Sequence, residues 1–182
     1  MTASTLIKRS FDSIFKPLPF VVESHANLFE IQKGFAGSPD DPNRKWVVPD
    51  YQRNHTWTVY QASAFVGSMI TGGFCPPCWI NRNIYDDHME IIDGQHRLFS
   101  LYHWMLGNIP AIEPTTGENI YVHEFDDKDI RQLYRKTEVK IMYVDLSPAD
   151  RLMLYLRINA TGTPHTLEEI QRVRNLLAEY QS

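Results

Sequence analysis

Apolar residues follow two rhythms along this chain, and the rhythms alternate. Val59, Ala62, Phe65, Val66, Met69 and Ile70 recur at helical spacing, with Thr58 before them as an N-cap and Gly72-Gly73 closing the helix. Leu98, Leu101, Tyr102 and Met105 repeat the three- and four-residue steps and stop at Gly107-Asn108. A further helix is predicted from Asp127 to Arg135. Ser147-Pro148-Ala149-Asp150 starts another, with serine at the cap, proline at the first helical position and Leu152, Tyr155, Leu156 and Ile158 as the apolar face. The last helix opens on the capping box Thr166-Leu167-Glu168-Glu169 and carries Leu167, Ile170, Val173, Leu176, Leu177 and Tyr180.

Between these lie short β-branched and aromatic runs that read as strands. Val139 to Val144 is the clearest. Met89-Glu90-Ile91-Ile92 stops at Asp93-Gly94, and Trp46-Val47-Val48 ends at Pro49. Phe74 to Ile80 suggests a further strand, and Phe20-Val21-Val22 an edge strand. Residues 108–127 read as a loop with a short hairpin around Gly117. Toward the N-terminus, Phe11, Ile14 and Phe15 form a short amphipathic turn that Pro17-Leu18-Pro19 stops, and Gly34 to Arg44 is a loop by composition. The expected fold is α+β: a small mixed sheet from the strands near 46, 79, 90 and 140, flanked by helices, with a helical C-terminal tail. Residues 1–45 are expected to be an N-terminal extension and loop, and 46–182 the domain proper.

Composition narrows the function. At 182 residues and 43% apolar content the chain can bury a sizeable core, and no run reaches the length a membrane span needs. The N-terminus lacks the order of a signal peptide, so the expectation is a soluble protein of the cytoplasm, or of the host cytoplasm if phage-encoded. A formal net charge of −4 argues against a basic nucleic-acid coat. The densest basic run, Lys128, Arg131, Arg135 and Lys136, is diluted by Asp126, Asp127, Asp129 and Glu138 and reads as a solvated helix face. The two cysteines, Cys75-Pro76-Pro77-Cys78, lack the second pair a zinc ribbon needs and read as structural.

Three segments carry candidate chemistry. In Asp93-Gly94-Gln95-His96-Arg97 a strand ends, a glycine turns and a helix begins. A helix N-terminus offers unpaired N–H groups and partial positive charge, which suit a phosphate. Gly94 permits close backbone approach, Arg97 offers a fork that matches phosphate oxygens, and His96 is a donor or acid–base group near neutrality. Asp93 is placed to cap the helix or hold a magnesium ion. The plain alternative is that Asp93 caps and Arg97 pairs with an acid. The second segment, Pro49-Asp50-Tyr51-Gln52-Arg53-Asn54-His55-Thr56-Trp57, is an unusually polar and aromatic connection in which Trp57 serves as a hydrophobic staple and Arg53 has no such structural role. In the third, Arg157 to Pro164, Asn159 and Thr161 either bond a sugar or phosphate or satisfy the end of a helix and its turn.

All three occur together, in this order, and that is informative. Val48-Pro49-Asp50-Tyr51-Gln52-Arg53 with Trp57, Ile91 to Leu98, Leu146-Ser147 with Arg151, and Arg157-Ile158-Asn159 with Gly162-Thr163-Pro164 resemble the motifs of the ParB/sulfiredoxin-like superfamily. The chain is most similar to the D-G-Q-Q-R-motif N-terminal domain of GmrSD-type modification-dependent restriction proteins. His96 stands where those proteins usually carry glutamine. The Gly-Gln-His-Arg spelling also resembles sulfiredoxins, with Gln95 in place of their cysteine, so a thiol step is not expected. No HNH-type nuclease domain follows Ser182 in this sequence, so DNA cleavage is expected to fall to a partner.

The resemblance implies a nucleoside triphosphate, ATP or GTP, with Mg2+. It implies Asp93, His96 and Arg97 as catalytic residues, Asp93 as metal ligand, and Gln52, Arg53, Gly94, Gln95, Asn159 and Thr161 as nucleotide contacts. Two functions follow as expectations. One is phosphoryl transfer, as a kinase or NTPase in DNA modification or restriction, with hydroxymethylated bases in DNA as acceptor. The other is a nucleotide-gated sensor of modified DNA, working with a separate nuclease or as a homodimer.

Overall fold

The strand Glu138–Val144 organises the sheet, paired on both sides. The computed structural model describes residues 21–36, 45–52, 56–82, 88–159 and 167–180. Its elements are β1 (Val21–Asn27), α1 (Leu28–Ala36), β2 (Trp46–Val47), α2 (Val59–Ile70), β3 (Cys78–Asn81), β4 (Met89–Asp93) and α3 (Gln95–Met105). There follow β5 (Ala111–Ile112), β6 (Asn119–Ile120), a 3-10 turn at Val122–Glu124, α4 (Asp127–Lys136), β7 (Glu138–Val144), α5 (Pro148–Asn159) and α6 (Leu167–Glu179). β7 pairs antiparallel with β1 and parallel with β3; β3 runs antiparallel to β4, and β4 parallel to β2. The sheet order is therefore β1-β7-β3-β4-β2, mixed as expected, with β5 and β6 forming a separate hairpin.

Both faces of this sheet are covered, which explains why its strands read as near-continuous apolar runs. Successive strand side chains point to opposite faces. Ile80, Ile91, Val139 and Ile141 pack beneath α1, α2 and α3 with Leu28, Ile31, Val66, Leu98, Leu101 and Trp104. Ile92 and Val144 belong to a second cluster with Leu146, with Leu152, Leu154 and Tyr155 of α5, and with Val173 of α6. Trp104 is fully buried, and its indole N–H donates to the Ile120 carbonyl at 3.2 Å, tying the β5–β6 hairpin to α3.

Local chemistry sets the helix ends. Thr58 accepts from the Gln61 N–H while the Gln61 side chain accepts from the Thr58 N–H, a full capping box before α2. Asp126 caps α4 through Lys128 and Asp129. The Ser147 hydroxyl accepts from the Asp150 N–H at the start of α5. Trp57 acts as a staple over a longer reach than the usual one, stacking edge-on to Phe65 at 5.5 Å between centroids.

Three expectations need correcting. Residues 21–36 are no extension: β1 is the edge strand beside β7, and Leu28 and Ile31 of α1 are fully buried. Gly34 is not the start of a loop but sits in α1, close against the Trp46 ring. The strand expected from Phe74 is confined to Cys78–Asn81, because Pro76 and Pro77 have no N–H to give a ladder. The turn at Phe11–Phe15, the loop residues 37–44 and the Thr166 cap lie outside the described residues.

Candidate functional site

The β4–α3 junction is built around Gly94. Its φ is +95°, a left-handed conformation that L side chains resist, and a Cβ there would lie 2.3 Å from the Cys78 sulfur. Glycine is thus required twice, by the turn and by the close packing of β3. Gly94 is also the N-cap of α3 and, having no side chain, makes no side-chain cap bond. Its carbonyl accepts from the Leu98 N–H at 2.9 Å, so the helix begins at once. The start of α3 is consequently a helix N-terminus capped by backbone alone, where anions are favoured.

Arg97 braces this junction. One guanidinium nitrogen donates to the Asp93 carboxylate at 2.6 Å; the other donates to the Pro76 carbonyl and, at 3.4 Å, to that of Pro77. The fork expected to grip phosphate is thus engaged by the turn and by the Cys-Pro-Pro-Cys segment. Asp93 does not cap α3 through its side chain; its carboxylate holds Arg97 instead. This corrects the capping half of the plain alternative; the acid that pairs with Arg97 is Asp93 itself, four residues back. The Asp93 carboxylate expected to hold Mg2+ is engaged by Arg97. Among the described residues no group of three or more His, Cys, Asp or Glu side chains is placed to hold a metal.

The two thiols lie under the same arginine. Cys78 is fully buried at the start of β3, and burial pushes its thiol up to about 12. Cys75 is half-buried and shifted up by burial too, with Arg97 pulling the other way. Neither presents a thiolate near neutrality, which agrees with a structural role.

The polar loop before α2 meets α3 through His96. The Thr56 N–H donates to His96 Nε2 at 2.9 Å, and the Thr56 hydroxyl lies 3.1 Å from the same atom. An accepting Nε2 places the proton of the neutral ring on Nδ1. Trp57 stands beside the imidazole at 5.4 Å between centroids. Gln52 is buried and its amide donates to the carbonyls of Ile91 and, at 3.1 Å, Ile92, where β2 no longer pairs with β4. Arg172 of α6 closes the loop from outside, donating to the Asp50 carbonyl at 2.5 Å and to that of Gln52 at 3.4 Å.

The expected site residues divide accordingly. Gln52, Asp93, Gly94, Gln95, His96 and Arg97 surround one junction, though Gln95 is buried and the side chains of Gln52 and Arg97 are spent on backbone carbonyls. Asn159 stands at the end of α5 and donates to the Tyr155 carbonyl at 2.8 Å, the helix-ending role weighed for it. Arg53 and Thr161 lie outside the described residues.

Sequence reasoning assigned no role to a neighbouring polar cluster. Arg151 of α5 forms an ion pair with Glu90 of β4, both largely buried, beside Tyr51. The Tyr51 hydroxyl is buried, and burial followed by the Glu90 charge raises its pKa, with Arg151 and Gln52 pulling the other way. With His88, Asp50 and Leu176 these residues line a cleft of about 450 Å³. Its sequence signal was present: Tyr51 and Arg151 both belong to the recurring motifs, and Glu90 immediately precedes Ile91.

A mixed sheet covered on both faces, with a polar junction where β4 passes through a glycine turn into α3, defines an α+β domain. Residues 40–176 match the family described as GmrSD restriction endonuclease, N-terminal domain, and the chain belongs to that family. No curated protein sequence matches the chain. Among solved structures it is similar to the C-terminally truncated chromosome-partitioning protein ParB from Caulobacter crescentus complexed with CTP-gamma-S, at 12% identity and a TM-score of 0.42. That comparison covers 88% of this chain and 64% of the other, so the chain spans under two thirds of that protein's length. Among the described residues no helix is long and apolar enough to cross a membrane.

Proposed function

We propose that this domain binds a nucleoside triphosphate at the N-terminus of α3 and uses it as a conformational signal in DNA restriction. One observation carries the reading: the Thr56–His96 contact holds the polar loop against a helix N-terminus that no side chain caps. Phosphate oxygens suit the leading N–H groups of such a helix, and His96 stands at its second residue, tying the helix start to Thr56. A triphosphate seated there would bear on both α3 and the loop, so its presence or loss changes how the loop is held. Mg2+ arrives, in this reading, with the triphosphate.

The Asp93–Arg97 pair favours a switch over phosphoryl transfer. Transfer needs cations positioned on the moving phosphoryl group and a residue that orients the acceptor. Here the arginine and the carboxylate hold one another. A panel of ATP, GTP and CTP with Mg2+, followed by product analysis with plain and hydroxymethyluracil-containing DNA, tests this. The expected result is saturable binding of a triphosphate with neither free phosphate nor labelled DNA. Stoichiometric or repeated release of phosphate, or label on DNA, would establish the kinase or NTPase reading instead.

A further inference from the structure

The chain is acidic overall, with a net charge of −4, yet one helix concentrates cations on one side. In α4 the residues Lys128, Arg131, Gln132, Arg135 and Lys136 are all exposed and together line one shallow cleft. At 100° per residue these five fall within one arc, and Asp127 and Asp129 fall on its two flanks. Ile130, Leu133 and Tyr134 occupy the opposite side and pack against the core. The charges read in sequence as mixed are therefore sorted in space, because interleaved residues on a helix point in different directions. Asp126 is engaged as the cap of the helix. Among the described residues none of the four cations is paired with a carboxylate.

We propose that this face of α4 is a docking surface for the phosphate backbone of duplex DNA. From Lys128 to Lys136 it runs roughly 12 Å at 1.5 Å per residue. A DNA strand places one phosphate about every 3.4 Å along its axis, so three to four phosphates fall within its reach. The chemistry of the face discriminates among polyanions. A membrane-surface helix needs an apolar edge to insert, and the apolar residues of α4 are spent on the core. Single strands are held by stacking on aromatic side chains, and this face has none. A protein partner would call for a buried aromatic or aliphatic anchor, also missing from the five residues. Cations with one amide donor suit a regular lattice of phosphates and read no base sequence. The proposal does not depend on the nucleotide reading, since it concerns another face of the molecule.

The test is fluorescence anisotropy of a labelled, unmodified duplex of about 25 base pairs against the full chain, without nucleotide, over a series of salt concentrations. With three to four phosphates engaged, log K should fall with log salt at a slope of about −2.7 to −3.6. The variant Lys128→Gln, Arg131→Gln, Arg135→Gln, Lys136→Gln should bind at least tenfold more weakly at low salt, with a slope near zero. Circular dichroism would verify that it folds, and Arg131→Gln with Arg135→Gln should give an intermediate slope. Removing Lys33 and Lys45, exposed on other elements, should leave binding as in the wild type. Wild-type affinity and slope in the fourfold variant, or no duplex binding by the wild type, would overturn the proposal. So would equal affinity for single-stranded DNA, polyglutamate or phosphatidylserine vesicles.

Discussion

Arg97 holds Asp93 on one side and the carbonyls of Pro76 and Pro77 on the other, and this fork explains why an arginine stands there. Lysine keeps the charge but cannot reach both sides at once. Arg97→Lys should therefore lower stability by about 1.5–3 kcal/mol, the range for charged hydrogen bonds, as read by urea unfolding. An unchanged midpoint would mean that the proline carbonyls contribute nothing. The Cys78 thiol makes a second prediction. Its folded value of about 12 lies above the ordinary 9.0, so the unfolded chain ionises first as pH rises. The stabilising term is complete below about pH 9 and disappears as pH climbs toward 12. Cys78→Ala should start less stable because of the cavity. It should then lose stability less steeply between pH 9 and 11, by up to about 1.4 kcal/mol per pH unit in chemical-denaturation curves. Parallel curves would contradict the burial argument. The helix-start residues were legible from spacing alone. The proline partners of Arg97 were not, since they lie some twenty residues away on a segment without regular structure.

Elements were legible where one rhythm ran without interruption. Strand β7 and helices α2, α3 and α5 follow from apolar spacing, caps and terminal glycines or prolines. Helix α1 was missed although Leu28, Ile31 and Phe35 have helical spacing, because Gly34 read as the start of a loop. That glycine answers to the Trp46 ring, a contact no local pattern announces. The same kind of long-range demand sits at Gly67 in α2, where a Cβ would fall 1.7 Å from the Ile112 carbonyl oxygen. Helix α2 therefore meets β5 backbone to backbone. Gly67→Ala should raise intrinsic helix propensity yet destabilise the protein by about 1–3 kcal/mol, the cost of overpacking where backbone must move. A raised melting temperature in a thermal scan would show that the hairpin yields freely.

At the scale of the molecule, the sheet separates two cores, and Asp93 to Arg97 lie where β4 leaves the sheet. The order of motifs in sequence announced the family. It did not reveal that Gln52 and Arg97 would be engaged by backbone, because hydrogen-bond partners depend on which turns the sheet brings together. Nor did it show the basic side of α4, since linear charge counts mix the faces of a helix. The proposal places the anion at the start of α3, where His96 holds the Thr56 loop. The most direct test is isothermal titration calorimetry of ATP, GTP and CTP, each with Mg2+, into the wild type and a folded His96→Ala variant. The account predicts one-to-one binding of at least one triphosphate, weakened about tenfold or more by the substitution, as expected for loss of a charged hydrogen bond. No binding at millimolar nucleotide, or equal affinity in His96→Ala, would contradict it.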